Sequence, residues 1–245
     1  MPGRGDIAIF PDLSQAASVG SVTSHIPAAP AVDLTDVAVE IEHTPVLAGL
    51  DFTLQSGEVI GVIGANGSGK STLLQVLATL RRPHRGGGSV LGADVRQPVP
   101  AAVRAQICLV AHQPAMYAQL SLQENLRFVA ELFDRPTSVA DEALVTVGLS
   151  KSAGRRVDRC SHGMVRRADL ARALITEPTL LLLDEAHAGL DPAAGALVAH
   201  LVALVVGRGG AAVVVAHERD RLDPIVDSVV SIERGRALPV KPGSA

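Results

Sequence analysis

Residues 59–77 constrain this chain more than any other stretch. Val59-Ile60-Gly61-Val62-Ile63 is a short continuous apolar run, Gly64-Ala65-Asn66-Gly67-Ser68-Gly69 is glycine-rich and polar, and Lys70-Ser71-Thr72 leads into Leu73-Leu74-Gln75-Val76-Leu77. The order reads as a buried strand, a tight loop and a helix. The spacing G-x-x-x-x-G-K-[ST] lets backbone N–H groups curl around phosphates while the helix N-terminus adds the positive end of its dipole. Lys70 is expected to reach the β- and γ-phosphates, the Ser71 hydroxyl to ligate Mg²⁺, and Thr72 to add a polar contact. A glycine-rich turn with a solvated lysine is the plainer reading, and it requires neither the strand nor the helix. Gly64, Ala65, Asn66, Gly67, Ser68, Gly69, Lys70, Ser71 and Thr72 are therefore expected to bind ATP together with Mg²⁺.

A chain of 245 residues, 47% of them apolar, suits one large α/β domain with a sizeable core. With one Tyr and no Trp, that core must be built from Leu, Val, Ala and Ile, and base-stacking platforms are not expected. A formal charge of −3 leaves no electrostatic footprint for nucleic acid, and Arg81-Arg82, Arg155-Arg156 and Arg166-Arg167 read as solvated faces. Cys108 and Cys160 are far apart, so a reduced cytosolic setting is expected and a disulfide is not. The apolar run from Leu197 to Val206 contains His200 and stops at Gly207-Arg208, too short to cross a bilayer. Residues 1–33 lack the pattern of a signal peptide, so any membrane role is expected to come through a partner.

Along the chain, residues 1–32 are rich in Pro, Ala, Ser and Gly and read as a flexible leader. Residues 34–41 and 50–54 alternate as half-buried strands, an antiparallel β subdomain at the start of the fold. Gly86-Gly87-Gly88 is read as a break before a short strand at Ser89-Val90-Leu91. The run Gln106-Ile107-Cys108-Leu109-Val110 predicts a buried strand that delivers His112 and Gln113 at its C-terminal end, where ligands sit in open α/β sheets. Ser121-Leu122-Gln123-Glu124 has the form of a capping box, and a second helix is predicted from Ser138. Residues of about 114–165 then form a helical insertion. Leu180-Leu181-Leu182-Leu183-Asp184-Glu185 predicts a central parallel strand with carboxylates at its tip. Asp191-Pro192 reads as an N-cap with proline at the first helical position, and Gly207 as the end of that helix. Residues 211–215 and 228–232 are the last predicted strands. One nucleotide domain over 33–238 and a tail at 239–245 complete the reading.

An acid at a strand end beside a phosphate loop is suited to hold Mg²⁺, and the next acid to polarise an attacking water. Asp184 and Glu185 fit these roles. Here the chain resembles the ATP-binding subunits of ABC transporters, with motifs in that family's order from about residue 34 to 236. The resemblance implies an α/β P-loop NTPase fold with a mixed sheet core, an antiparallel β subdomain and a helical insertion. It also implies that Gln113 senses Mg²⁺ and couples to the membrane domain. Cys160-Ser161-His162-Gly163-Met164 takes the place of the signature L-S-G-G-Q, with Ser161 and Gly163 approaching the γ-phosphate of a second copy. Asp191 falls in a dimer-contact loop, and His217 matches the switch histidine near the γ-phosphate.

Three departures accompany the resemblance. His162 adds bulk where glycine is usual, Ala186 stands where proline usually follows the glutamate, and no aromatic stands near Ile41 or His43 to stack on adenine. ATP affinity is accordingly expected to lack a contribution of about 0.5–1.5 kcal/mol. Asp184-Glu185-Ala186-His187 also spells a helicase box, but a single, non-basic domain with an intervening signature argues against that family. The implied function is an ATP hydrolase at the cytoplasmic face of the membrane, driving a separate transmembrane permease and paired with a second ATPase subunit. Residues 111–117, residues 124–128 and Gly163-Met164 are similar to the haem-exporter ATPase of cytochrome c maturation. Drug- and polysaccharide-export ATPases share parts of the pattern, and a soluble ABC-type ATPase acting on ribosomes or DNA is the alternative of another class.

Overall fold

The computed structural model describes residues 29–185, 192–216, 219 and 222–240. Two sheets organise it. The first is antiparallel, in the order β2 (Thr44–Leu54), β1 (Val32–Ile41), β4 (Arg85–Val90) and β5 (Ala93–Asp94). The second has six strands, in the order β10 (Arg236–Pro239), β9 (Ser228–Glu233), β3 (Val59–Ile63), β8 (Ala211–Val215), β7 (Leu180–Asp184) and β6 (Ile107–Val110). Its interior is parallel, because β3 pairs with both β8 and β9, and β7 with both β8 and β6. β10 adds an antiparallel edge. The mixed sheet and antiparallel subdomain expected from sequence are both present.

The parallel strands read as unbroken apolar runs because both their faces are covered. Leu181 and Leu183 of β7, with Ala212 and Val214 of β8, face a core shared with the helices α3 (Leu122–Leu132), α4 (Ser138–Thr146), α5 (His162–Thr176) and α6 (Pro192–Gly207). Leu180 and Leu182, with Val213 and Val215, face a second core shared with α1 (Lys70–Leu77) and the antiparallel sheet. The period-2 alternation of β-strand side chains thus divides one sheet between two cores. A short helix, α2 (Ala101–Arg104), precedes β6.

The capping box forms as predicted: Ser121 Oγ accepts from the Glu124 amide, and Glu124 Oε2 accepts from the Ser121 amide. α4 starts at Ser138, α6 at Pro192, and α6 ends at Gly207. No helix among the described residues is long and apolar enough to cross a membrane.

The glycine triplet is a correction. Gly86, Gly87 and Gly88 lie inside β4, paired with β1, and the strand stops at Val90 before Leu91 turns through φ 47°. The reason is close approach across a bulged register: a Cβ on Gly88 would fall 2.0 Å from the Asp33 carbonyl oxygen. β1 begins at Val32 with Ala31 already buried. β5, α2 and β10 had no counterpart in the sequence reading.

Candidate functional site

β3 lies between β8 and β9, and the loop 64–69 leaves its C-terminal end. No side chain caps α1; its N-cap is Gly69 at φ 110°. The first-turn N–H groups therefore remain available for an anion. Glycine is required there, since a Cβ would sit 2.8 Å from Leu47 Cδ2 in a left-handed backbone. Ser68 Oγ is buried without a hydrogen-bond partner among the described residues. Lys70 is buried, and its Nζ donates to the carbonyls of Gly64 at 2.8 Å and Ala65 at 2.9 Å. Those two bonds offset the cost of burying the ammonium and hold it over the loop.

From the neighbouring strand, the tip of β7 reaches the start of α1. Ser71 Oγ donates to Asp184 Oδ2 at 2.9 Å across 113 residues of chain, and Asp184 is only 6% exposed. These are hard oxygen donors, the kind Mg²⁺ prefers. Among the described residues no three His, Cys, Asp or Glu side chains converge. Glu185 follows in the left-handed region at φ 51° and donates its amide to Val215 at 3.1 Å. Its Oε2 stands 3.8 Å from His112 Nδ1, a contact the sequence did not predict. Gln113 is exposed beside His112 and makes no hydrogen bond among the described residues.

Ser161 caps α5, its Oγ accepting from the Met164 amide at 3.3 Å. Ser161 is exposed and Gly163 half-buried at that helix start.

Further along α5 the sequence reading needs correction. Arg166, read as part of a solvated face, is 6% exposed. Its guanidinium donates to the carbonyl of Ala111, just beyond β6, and to the carbonyl of Asp184 at 2.6 Å. Asp169, fully buried, accepts from Arg172 Nε at 2.7 Å and lies 3.8 Å from Arg166. Arg172 Nη2 donates to the Leu109 carbonyl at 3.0 Å, and the Ala115 amide donates to Asp169 at 3.4 Å. Burial pushes the Asp169 carboxyl above its usual range, opposed by Arg172 and Arg166. Burial likewise lowers Arg166, opposed by Asp169, Asp184 and Glu185. The sequence did carry a signal: charges at 166, 169 and 172 recur every three residues on the helix face that also carries Leu170 and Ala173. Cys108 is buried, and desolvation pushes its thiol up.

His217 and Asp191, and with them Ala186 and the loop 188–191, lie outside the described residues, as do residues 1–28 of the leader and 241–245 of the tail.

The ABC transporter family profile matches residues 47–188. The chain is 38% identical over 196 residues to the daunorubicin resistance ATP-binding protein DrrA3 of Streptomyces coeruleorubidus, covering 78% of this chain and 62% of that protein. It is 32% identical over 228 residues to the Nod factor export ATP-binding protein I of Rhizobium meliloti, covering 90% of this chain and 67% of the relative. A solved ATP-binding subunit of an ABC transporter superposes with a TM-score of 0.77 at 26% identity, over 84% of this chain and 87% of that one. The glycine-rich loop after β3, the acid-tipped strand beside it and the capped start of α5 all fall within the matched span: the chain belongs to the ABC transporter family and carries that family's ATPase fold.

Proposed function

We propose that this chain binds ATP on residues 64–72, hydrolyses it, and thereby drives a separate membrane-spanning permease in an exporter. The observation that carries the reading is the Ser71–Asp184 hydrogen bond, which puts the phosphate loop and the acid-bearing strand tip on one site. When Mg²⁺ is bound, Ser71 and Asp184, with Gln113 as a third candidate, would hold it, and it neutralises charge on the phosphate oxygens. Lys70 exchanges the carbonyls of Gly64 and Ala65 for phosphate oxygens. Glu185 orients a water in line with the γ-phosphorus and takes its proton as the new P–O bond forms and the bond to ADP breaks. His217 is the candidate for stabilising charge on the γ-phosphate. Ser161 and Gly163 serve the nucleotide bound by a second copy, a role that the exposure of Ser161 at the start of α5 supports.

Beside Gln113 opens a groove of about 440 Å³ lined by Pro114, Met116, Tyr117, Phe128 and Leu132. Tyr117 and Leu132 are exposed in a chain with only five aromatic residues. This is the surface we assign to the permease, which would place the chain at the cytoplasmic face of the membrane. The named relatives act in daunorubicin resistance and Nod factor export, so a small-molecule exporter is the favoured reading of the cargo. The haem-export reading rests on residues 111–117, 124–128 and Gly163-Met164; the first two stretches touch where the Tyr117 amide donates to Asn125 Oδ1 at 2.7 Å and Asn125 Nδ2 returns a bond to the Tyr117 carbonyl, and neither named relative is a haem exporter by name.

The test is steady-state hydrolysis with Glu185→Gln, expected to bind ATP normally while kcat falls by about 10²–10⁴. Normal turnover in that variant removes Glu185 as the base. A pull-down from detergent-solubilised membranes of the host then decides the cargo class. A multi-span partner without a haem absorption band supports the small-molecule exporter, whereas a haem band supports the second reading. Only soluble partners overturn the membrane role.

A further inference from the structure

The parallel pairing of β6 and β7, the strands that lead to Gln113 and Glu185, ends at Val110 and Leu183. Beyond it the side chains of His112 and Glu185 approach to 3.8 Å, and the backbones of the two tips are bridged by a side chain from α5. Arg166 donates one arm of its guanidinium to the Ala111 carbonyl and the other to the Asp184 carbonyl. The first of these carbonyls lies two residues before Gln113 and the second belongs to the peptide that enters Glu185. Because Glu185 sits at φ 51°, the orientation of the 184–185 peptide sets where its carboxylate points. Resting on the functional reading above, we propose that Arg166 is a positioning residue, clamping the tips of β6 and β7 to the signature-bearing helix so that Glu185 and Gln113 are held in fixed relation.

A planar guanidinium suits this task because its rigid fork holds two donor nitrogens apart in one plane and so reaches carbonyls on two separate strands, whereas the donors of an ammonium radiate from a single nitrogen on a shorter reach. Its own position is set by Asp169, held in turn by Arg172 and by the Ala115 amide. Arg172 also lines the groove beside Gln113. One continuous set of polar contacts therefore runs from that groove to the residue before Glu185. The helix that presents Ser161 to a neighbouring copy is the same helix that grips both strand tips.

The experiment compares wild type with Arg166→Lys and Arg166→Gln in the full chain, using Arg135→Lys as a surface control, since the Arg135 guanidinium pairs with Glu177 at 2.9 Å. Amide exchange is read without nucleotide, so it reports the clamp whether or not the chain hydrolyses ATP. Both Arg166 variants are expected to speed exchange about tenfold or more in 111–116 and 184–185, with 64–77 unchanged. Steady-state kinetics should show kcat lowered by about 30-fold with KM for ATP within about twofold, and no further loss when Arg166→Lys is added to Glu185→Gln. Unchanged exchange at both tips overturns the clamp. An additional 30-fold loss in the double variant overturns positioning through Glu185. A wild-type chain without ATPase activity brings down the functional reading instead, and the exchange data tell the two failures apart.

Discussion

Two glycine-rich stretches lie within 25 residues of each other and use the same residue for opposite purposes. In the phosphate loop, Gly67 at φ 76° has nothing within 4 Å of where a Cβ would be, so its neighbourhood is open to a ligand. In β4, Gly88 at φ 130° has the Asp33 carbonyl at 2.0 Å from that position, so its neighbourhood is filled by the chain itself. At Gly67 the first stretch keeps a side chain out of open space, while Gly69 of the same loop is held by close approach to Leu47. The second lets two strands of a bulged sheet meet. Glycine content alone therefore says that backbone comes close to something, and the flanking elements decide what that something is.

Substitution breaks the comparison at its strongest point first. Gly88→Ala is expected to cost about 4 kcal/mol or more, lowering Tm by about 8–16 °C or preventing accumulation, because neither backbone can retreat without losing the β1–β4 pairing. Gly87→Ala, one residue earlier and facing only the flexible Arg96 side chain at 3.0 Å, should cost less than about 1 kcal/mol by thermal melt. Equal losses at both positions would refute the close-approach account. Next in size is Lys70→Ala in the phosphate loop, expected to weaken ATP binding by about 100-fold, or about 2.7 kcal/mol, with Tm little changed. A titration with a fluorescent ATP analogue and a melt of the same sample measure both. Gly67→Ala is expected to cost about 1–2 kcal/mol of left-handed strain, less than Gly88→Ala, whereas its ATP affinity should fall more than its melt predicts. If affinity there falls only in step with stability, the open space around Gly67 has no part in binding.

Legibility followed locality. The phosphate loop, the capping box at Ser121 and the acid-tipped run of leucines were readable because each is set by neighbours within a few residues: strand before, helix after, hydroxyl and carboxylate three apart. β10 escaped because Arg-Ala-Leu-Pro has no alternation to mark it, and an edge strand needs only one partner, here β9. Arg166 was misread because a pair of adjacent arginines on a helix is ordinarily solvated. Only the docking of α5 across the ends of β6 and β7 buries one of them and leaves Arg167 half-exposed.

What the sequence determined by itself is the order of strand, loop and helix, the phosphate-binding pattern at 64–72 and the family to which these motifs belong, because each rests on backbone geometry imposed over short spans. The tertiary structure decided which distant groups meet: Ser71 with Asp184, His112 with Glu185, and Arg166 with two carbonyls from separate strands. Those meetings depend on parallel pairing across strands far apart in the chain and on the burial of charge that such pairing permits. Parallel pairing leaves no trace of which strands become neighbours, and of the buried charge only the recurrence at 166, 169 and 172 shows in the residues, without the partners it meets.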